Sequence, residues 1–181
     1  QCFPEYKRIC LIKTSTSSGE NFLGGYRSGL EKNPDVEQFT VIYQISDMPA
    51  LFGEQEIAAN AFSVDSTFFK IFPYRVIAGS GRIVRPRDVV ITRSFWKKKL
   101  GGKNAIGATF KNTKGNKFTI IGVVDDPDTK TSWMPDIFMS DELDEFLFFD
   151  PIYAMLMAPD TDIALLNKKY SKEHPRSKWS T

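Results

Sequence analysis

Residues 63–127 constrain the fold more than any other part of the chain, because short apolar runs alternate there with helix caps and turn signals. Val64-Asp65-Ser66-Thr67-Phe68-Phe69-Lys70-Ile71-Phe72 places a capping side chain, Asp65 or Ser66, before a short aromatic helix over 67–72, which Pro73 ends. A loop containing Gly, Arg and Pro over 80–86 leads to a strand over 88–92. Thr92 or Ser94 caps a second short helix through Lys99, and Gly101-Gly102 stops it. Strands over 108–111 and 118–124 flank Thr113-Lys114-Gly115-Asn116, a hairpin turn sequence. The pattern specifies a small, complete α+β unit.

The flanks supply further elements. A strand is expected over 6–14, where Ile9-Cys10-Leu11-Ile12 forms an apolar run suited to cover on both faces. Phe22, Leu23, Tyr26 and Leu30 recur at helical spacing over 20–32, although Gly24, Gly25 and Gly29 weaken that helix. Phe39, Val41, Tyr43 and Ile45 alternate along a strand over 36–46. Residues 47–55 read as a connector punctuated by Pro49 and Gly53, and 56–64 as another strand. Strands are expected over 137–140 and 153–158, then a helix over 163–171 capped by Thr161 or Asp162, then a frayed polar tail from Lys172. Phe146, Leu147, Phe148 and Phe149, bounded by Asp144-Glu145 and Asp150-Pro151, form a candidate partner-contact patch, with ordinary packing as the plainer reading.

Chemistry is scarce. The one histidine, His174, lies in the polar tail, which argues against Ser-His-Asp, Cys-His and His-rich zinc sites. No Cys-x-x-Cys pair and no Gly-x-Ser-x-Gly elbow occurs. Residues 24–31 have glycines at phosphate-loop spacing, but Leu30-Glu31 stands where Lys-Ser/Thr is required. Asp125, Asp126 and Asp128 read as a turn around Pro127; the alternatives are a hard cation or half of a glycosidase carboxylate pair. Arg93, Lys97, Lys98, Lys99 and Lys103 read as a solvated helix face, with an anion or protein contact as the alternative. No residue is assigned as catalytic, cofactor-binding or metal-ligating. A net charge of +2 is too close to neutral to argue for nucleic acid or an anionic membrane surface. No run approaches the roughly 18 apolar residues that cross a bilayer, and no leader is visible, so the chain reads as a piece excised from a longer protein. Cys2 and Cys10 read as unpaired thiols, Cys10 in the core.

The ordered set from Val64-Asp65-x-x-Phe68-Phe69-x-x-Phe72 and Ala78-Gly79, through Thr92, Leu100-Gly101 and Ile106-Gly107, to Gly122-Val123-Val124-x-Asp126-Pro127 resembles the periplasmic core domain of MacB-type ABC transporter permeases, the FtsX-like permease family. Ala105 stands where that family usually has Pro, and the basic residues from Lys168 onward are less typical. The resemblance implies an α+β fold of two subdomains: a βαβ-type, porter-like part from 1–57 plus 133–175, and an inserted α+β part over 58–132, with a tail over 176–181. It implies a place on the periplasmic side of a bacterial inner membrane, without cofactor or enzymatic activity. It also implies partners: a cytoplasmic ABC ATPase acting through the whole permease, a permease dimer mate, and a periplasmic adaptor or cargo, with no nucleic acid. Gly107 and Gly122 then serve turns or close backbone approach. Two rival readings are a free-standing secreted module that binds peptide or glycan, and a hydrolase working through Asp125, Asp126 or Asp128.

Overall fold

The computed structural model describes residues 5–14, 29, 31–127, 134–141, 151–165, 168 and 177–180. Its strands are β1 Ile9–Thr14, β2 Val36–Phe52, β3 Gln55–Val64, β4 Val76–Gly79, β5 Asp88–Thr92, β6 Thr109–Lys111, β7 Lys117–Val124, β8 Ile137–Ser140, β9 Pro151–Met157 and β10 Ser177–Ser180. Two short helices follow β3 and β5: α1, Phe68–Ile71, and α2, Arg93–Lys99. The strands join in the order β10-β1-β9-β2-β3-β8-β5-β7-β4. Pairing is antiparallel except at β3–β8 and β5–β7, so this is a mixed sheet of an α+β protein.

Several expectations are corrected. Residues Tyr6–Arg8 form a 3-10 turn, and the first strand begins only at Ile9. The stretch 47–55 is not a connector: β2 continues through it to Phe52, and the reversal is confined to Gly53-Glu54. The cause is a register shift between Ile45 and Met48, after which Met48 and Ala50 resume the buried set that Ile45 began. Asp47 sits in this irregularity at φ 50 and donates its N–H to Asn60 Oδ1 at 3.3 Å. Pro49 is tolerated because β2 pairs with β9 only as far as Tyr43 and with β6 only at Leu51, leaving that side of Pro49 unpaired. The tail carries a strand: β10 pairs antiparallel with β1, where fraying was expected. Of the helix over 20–32, Gly29, Glu31 and Lys32 lie among the described residues; Gly29 and Glu31 are helical and Lys32 is in a turn.

Six strands close on themselves. From β2 the ladder passes to β3, β8, β5, β7 and β6, and Leu51–Lys111 returns it to β2. Alternation along these strands fills the ring. Ile57, Ala59 and Ala61 of β3, Val89 and Ile91 of β5, Phe118 and Ile120 of β7, and Ile137 and Met139 of β8 share one core. The intervening residues Phe62, Val64, Val90, Val124 and Phe138 face outward into a second core. A third, smaller cluster lies on β1, β2 and β9 around Cys10, Val41, Tyr153, Met155 and Met157. Cys10 is therefore on the opposite face of β1 from Ile9 and Leu11, which belong to the second core.

Helix α1 is the centre of that second core. Phe68 is 1% exposed and packs, with tilted rings, 5.4 Å from Phe138 and 4.9 Å from Phe72, centroid to centroid. The same cluster contains Ile9, Ile152 and Ala154 from β1 and β9. The aromatic helix thus does more than anchor the central unit, because it fastens the outside of the ring to the sheet beyond β2. Truncation of a fully buried Phe typically costs about 3–5 kcal/mol. Phe68→Ala should therefore lower unfolding stability by about that much in urea titration, and a loss under about 1 kcal/mol would show that the junction does not depend on this ring.

Candidate functional site

The Val-Asp-x-x-Phe-Phe motif builds one corner. Asp65 ends β3, and its Oδ1 accepts from Thr40 Oγ1 at 2.7 Å, Thr67 N at 2.8 Å and Phe68 N at 3.2 Å. Its other oxygen accepts from Val41 N at 3.3 Å. Asp65 thus satisfies amides at the start of α1, as capping predicts, and also bonds β2, which local reading does not predict. Its acceptor capacity is spent on the fold.

A second polar cluster follows β7. Asp125 accepts from Arg75 Nε at 2.9 Å and pairs with Arg93 Nε at 3.0 Å. Asp126 accepts from Ser94 N at 3.3 Å and Ser94 Oγ at 3.0 Å. The Arg75 hydrogen bond, aided by the charges of Arg75 and Arg93, holds the Asp125 carboxyl below its ordinary value. These carboxylates tie the loop after β7 to α2 and to the segment before β4. The cap of α2 is Thr92, whose Oγ1 accepts from Phe95 N at 3.3 Å.

Backbones also meet closely here. Ser80 N donates to Ile121 O at 2.8 Å, and a Cβ on Gly122 would overlap the Ser80 carbonyl. Gly107 is held at φ +84 with open space beside it, so its requirement is conformational alone.

Helix α1, the loop over 80–86 and the ends of β3 and β8 enclose a cleft of about 700 Å³. Phe69, Ile83 and Val84 supply its apolar surface, and Val84 is 67% exposed. Lys70, Arg82 and Arg85 also line it, and none of the three makes an ion pair among the described residues.

A family model for the MacB-like periplasmic core domain matches residues 11–169. The chain belongs to that family. The MacB-like domain is also similar in fold to three solved structures. One is a domain of a presumed permease protein from Porphyromonas gingivalis, with TM-score 0.73 and 20% identity, covering 98% of this chain and 91% of that one. Another is the periplasmic region of MacB from Actinobacillus actinomycetemcomitans, with TM-score 0.70 and 16% identity, covering 96% and 88%. The third is the extracellular domain of the noncanonic ABC-type transporter YknZ from Gram-positive bacteria, with TM-score 0.70 and 14% identity, covering 96% and 100%. A search of curated proteins returns no match. The family is that of periplasmic domains of MacB and FtsX-like ABC transporter permeases, whose setting is the inner membrane. Among the described residues, no helix is long and apolar enough to cross a membrane.

The expected site residues of the MacB-like domain fall unevenly. Phe146, Leu147, Phe148 and Phe149 lie outside the described residues, as do Asp128, His174 and Cys2. Asp125 and Asp126 are brought together, but as fasteners; among the described residues no three acidic, His or Cys groups converge as metal ligands. Lys97, Lys98, Lys99 and Lys103 are exposed, whereas Arg93 is turned onto Asp125. Cys10 is buried with a free thiol, and burial pushes its pKa up to about 11, too high for a nucleophile at neutral pH. The cleft was not read from the sequence, although a signal existed. Residues 66–124 hold thirteen lysines and arginines against one acid, Asp88, an excess hidden by the chain's net +2.

Two predictions follow from the polar and glycine contacts. A carboxyl whose folded pKa is depressed stabilises the fold above its unfolded pKa, about 3.9, and that contribution disappears as pH falls through the folded value. Asp125→Asn should therefore be less stable than the parent at pH 7, and the gap in melting temperature should close as pH falls below about 4; a gap independent of pH would remove the ion pair as its cause. For the glycines, Gly107→Ala should cost about 1 kcal/mol for its left-handed backbone. Gly122→Ala should cost about 3 kcal/mol or more, because backbone must move away. Equal losses at the two positions in denaturant titration would show that the Ser80 crossing yields easily.

Proposed function

We propose that this domain is the moving extracytoplasmic part of an ABC transporter permease, powered by ATP hydrolysis in a separate cytoplasmic ATPase. The match of the family model over residues 11–169 carries this reading. Motion of the ATPase passes through the membrane helices of the permease to this domain, which works against a second copy in export or mechanotransmission. The domain itself performs no catalysis and takes no cofactor. This agrees with carboxylates at Asp125 and Asp126 that are occupied by Arg75, Arg93 and Ser94. It also agrees with Leu30-Glu31 at the place where a phosphate loop needs Lys-Ser/Thr. Its further contacts are a periplasmic adaptor or the cargo.

The moving bodies are proposed to be the porter-like part, 1–57 with 133–175, and the inserted part, 58–132, followed by the tail 176–181. The cluster around Cys10 and Tyr153 lies wholly in the porter-like part, and the irregularity of β2 at Asp47 separates it from the ring; the ring core itself draws on both parts, with Met48, Ala50, Ile137 and Met139 packed against Val89, Ile91, Phe118 and Ile120.

The test uses the permease that carries this domain, reconstituted with its ATPase in lipid nanodiscs. Cys2→Ser removes one native thiol, and Lys98→Cys on exposed α2 takes a spin label. Distances between labels on two copies are then read by pulsed electron resonance without nucleotide and with ATP plus vanadate. A shift of the distance distribution between the two states is expected. Superimposable distributions in a preparation that hydrolyses ATP would end the relay reading.

A further inference from the structure

We propose that the cleft between α1 and the loop over 80–86 binds an acidic peptide segment. Its carboxylates would meet Lys70, Arg82 and Arg85, while an apolar side chain lies against Phe69, Ile83 and Val84. The cleft's volume of about 700 Å³ is within the range of binding sites for small molecules and short peptide segments. The three cations are exposed and without ion pairs among the described residues, unlike Arg75 and Arg93 on neighbouring elements, which share Asp125. Leaving cations unneutralised around a concavity concentrates a positive field there and favours anionic ligands. The lining carries these three cations against two carboxylates, Asp65 and Asp141, of which Asp65 is already bonded to Thr40, Thr67 and Phe68.

The chemistry of the cleft favours carboxylates on a peptide over phosphate. Phosphate sites draw on free amides at a helix start or loop nest. Here the amides of Thr67 and Phe68 are already bonded to Asp65. Asp65 and Asp141 also line the cleft, and two carboxylates repel a dianion more than they repel separated single charges. The cations are distributed over two elements, Lys70 on α1 and Arg82 and Arg85 on the loop, which suits acids spaced along an extended chain. Arginines can hold carboxylates through paired donors. The apolar residues Phe69, Ile83 and Val84 lie among these cations, so the matching ligand alternates acidic and apolar side chains. The inference uses the transport reading only for the source of the peptide, a periplasmic adaptor or cargo.

The probe is a fluorescein-labelled hexapeptide, Glu-Leu-Glu-Phe-Glu-Leu, titrated with the whole chain and followed by anisotropy. Saturable binding is expected, weakened about threefold or more when sodium chloride rises from about 50 to about 300 mM. Arg82→Ala with Arg85→Ala should weaken it at least about tenfold, and Val84→Asp should weaken it independently. All three positions are exposed, so circular dichroism and melting temperature should remain at parental values. Absence of saturable binding would overturn the proposal, as would equal binding of the peptide with Gln in place of Glu. Displacement of the peptide by millimolar inorganic phosphate would reassign the cleft to small anions and overturn the peptide assignment. So would co-sedimentation with phosphatidylglycerol vesicles that is lost in the arginine variant when peptide binding is not. Failure here leaves the nanodisc distance measurement untouched, because the label on α2 does not involve the cleft.

Discussion

The long ladder between β2 and β3 is the constraint on which the rest of the structure depends. Paired from Ile42–Val64 to Phe52–Gln55, these two strands belong to the ring through their far ends and to the β9 side through their near ends. The ladder resumes on both sides of Asp47, where Asp47 N and Asn60 N bond side chains instead, so the two regions are joined by one hairpin with a single break in its backbone pairing. The one irregularity, between Ile45 and Met48, shifts which residues face the ring without ending the pairing. Asn60 supports it from β3, accepting from Asp47 N and donating its own N–H to Asp136 Oδ2 at 2.9 Å. The ring on one side and the β1–β9 sheet on the other are therefore two uses of the same hairpin.

Polar side chains in the central segment serve this architecture before they serve anything else. Asp65 joins the end of β3 to the start of α1 and to β2. Asp125 and Asp126 join the end of β7 to the base of β4 and the start of α2. Asp65 and Asp126 are placed where part-buried backbone amides would otherwise lack partners, whereas Asp125 pairs with arginines that also face solvent. A catalytic carboxylate must keep an oxygen available to substrate or water. The oxygens of Asp65, Asp125 and Asp126 are instead taken up by Thr40, Thr67, Phe68, Arg75, Arg93 and Ser94.

Legibility in the sequence followed the range of the interactions. The α1 cap, the α2 cap at Thr92 and the hairpin between β6 and β7 rest on neighbours within a few residues, and all three were readable. The roles of Gly107 and Gly122 were readable as requirements, although the partner of Gly122, the Ser80 carbonyl, was not. β4 and β10 escaped because each is only four residues long and lies at an end of the sheet path, so its identity depends on β7 or β1 rather than on its own pattern. The extension of β2 escaped because Asp47 and Pro49 are ordinary turn residues unless a bulge and an unpaired flank accommodate them. Closure at Leu51–Lys111 joins residues sixty positions apart, which no local pattern encodes.

Charge was misread for a different reason. A sum over the chain gives +2, but a field at a cleft depends on local charge within about a Debye length, near 8 Å in physiological salt. The basic excess of residues 66–124 lies on the elements from α1 to β7, whereas most of the compensating acids lie elsewhere in the sequence. Asp125 captures the nearest arginines, Arg75 and Arg93, and removes them from the available field. The cations that stay available are those without such a partner, and Lys70, Arg82 and Arg85 are gathered beside apolar surface.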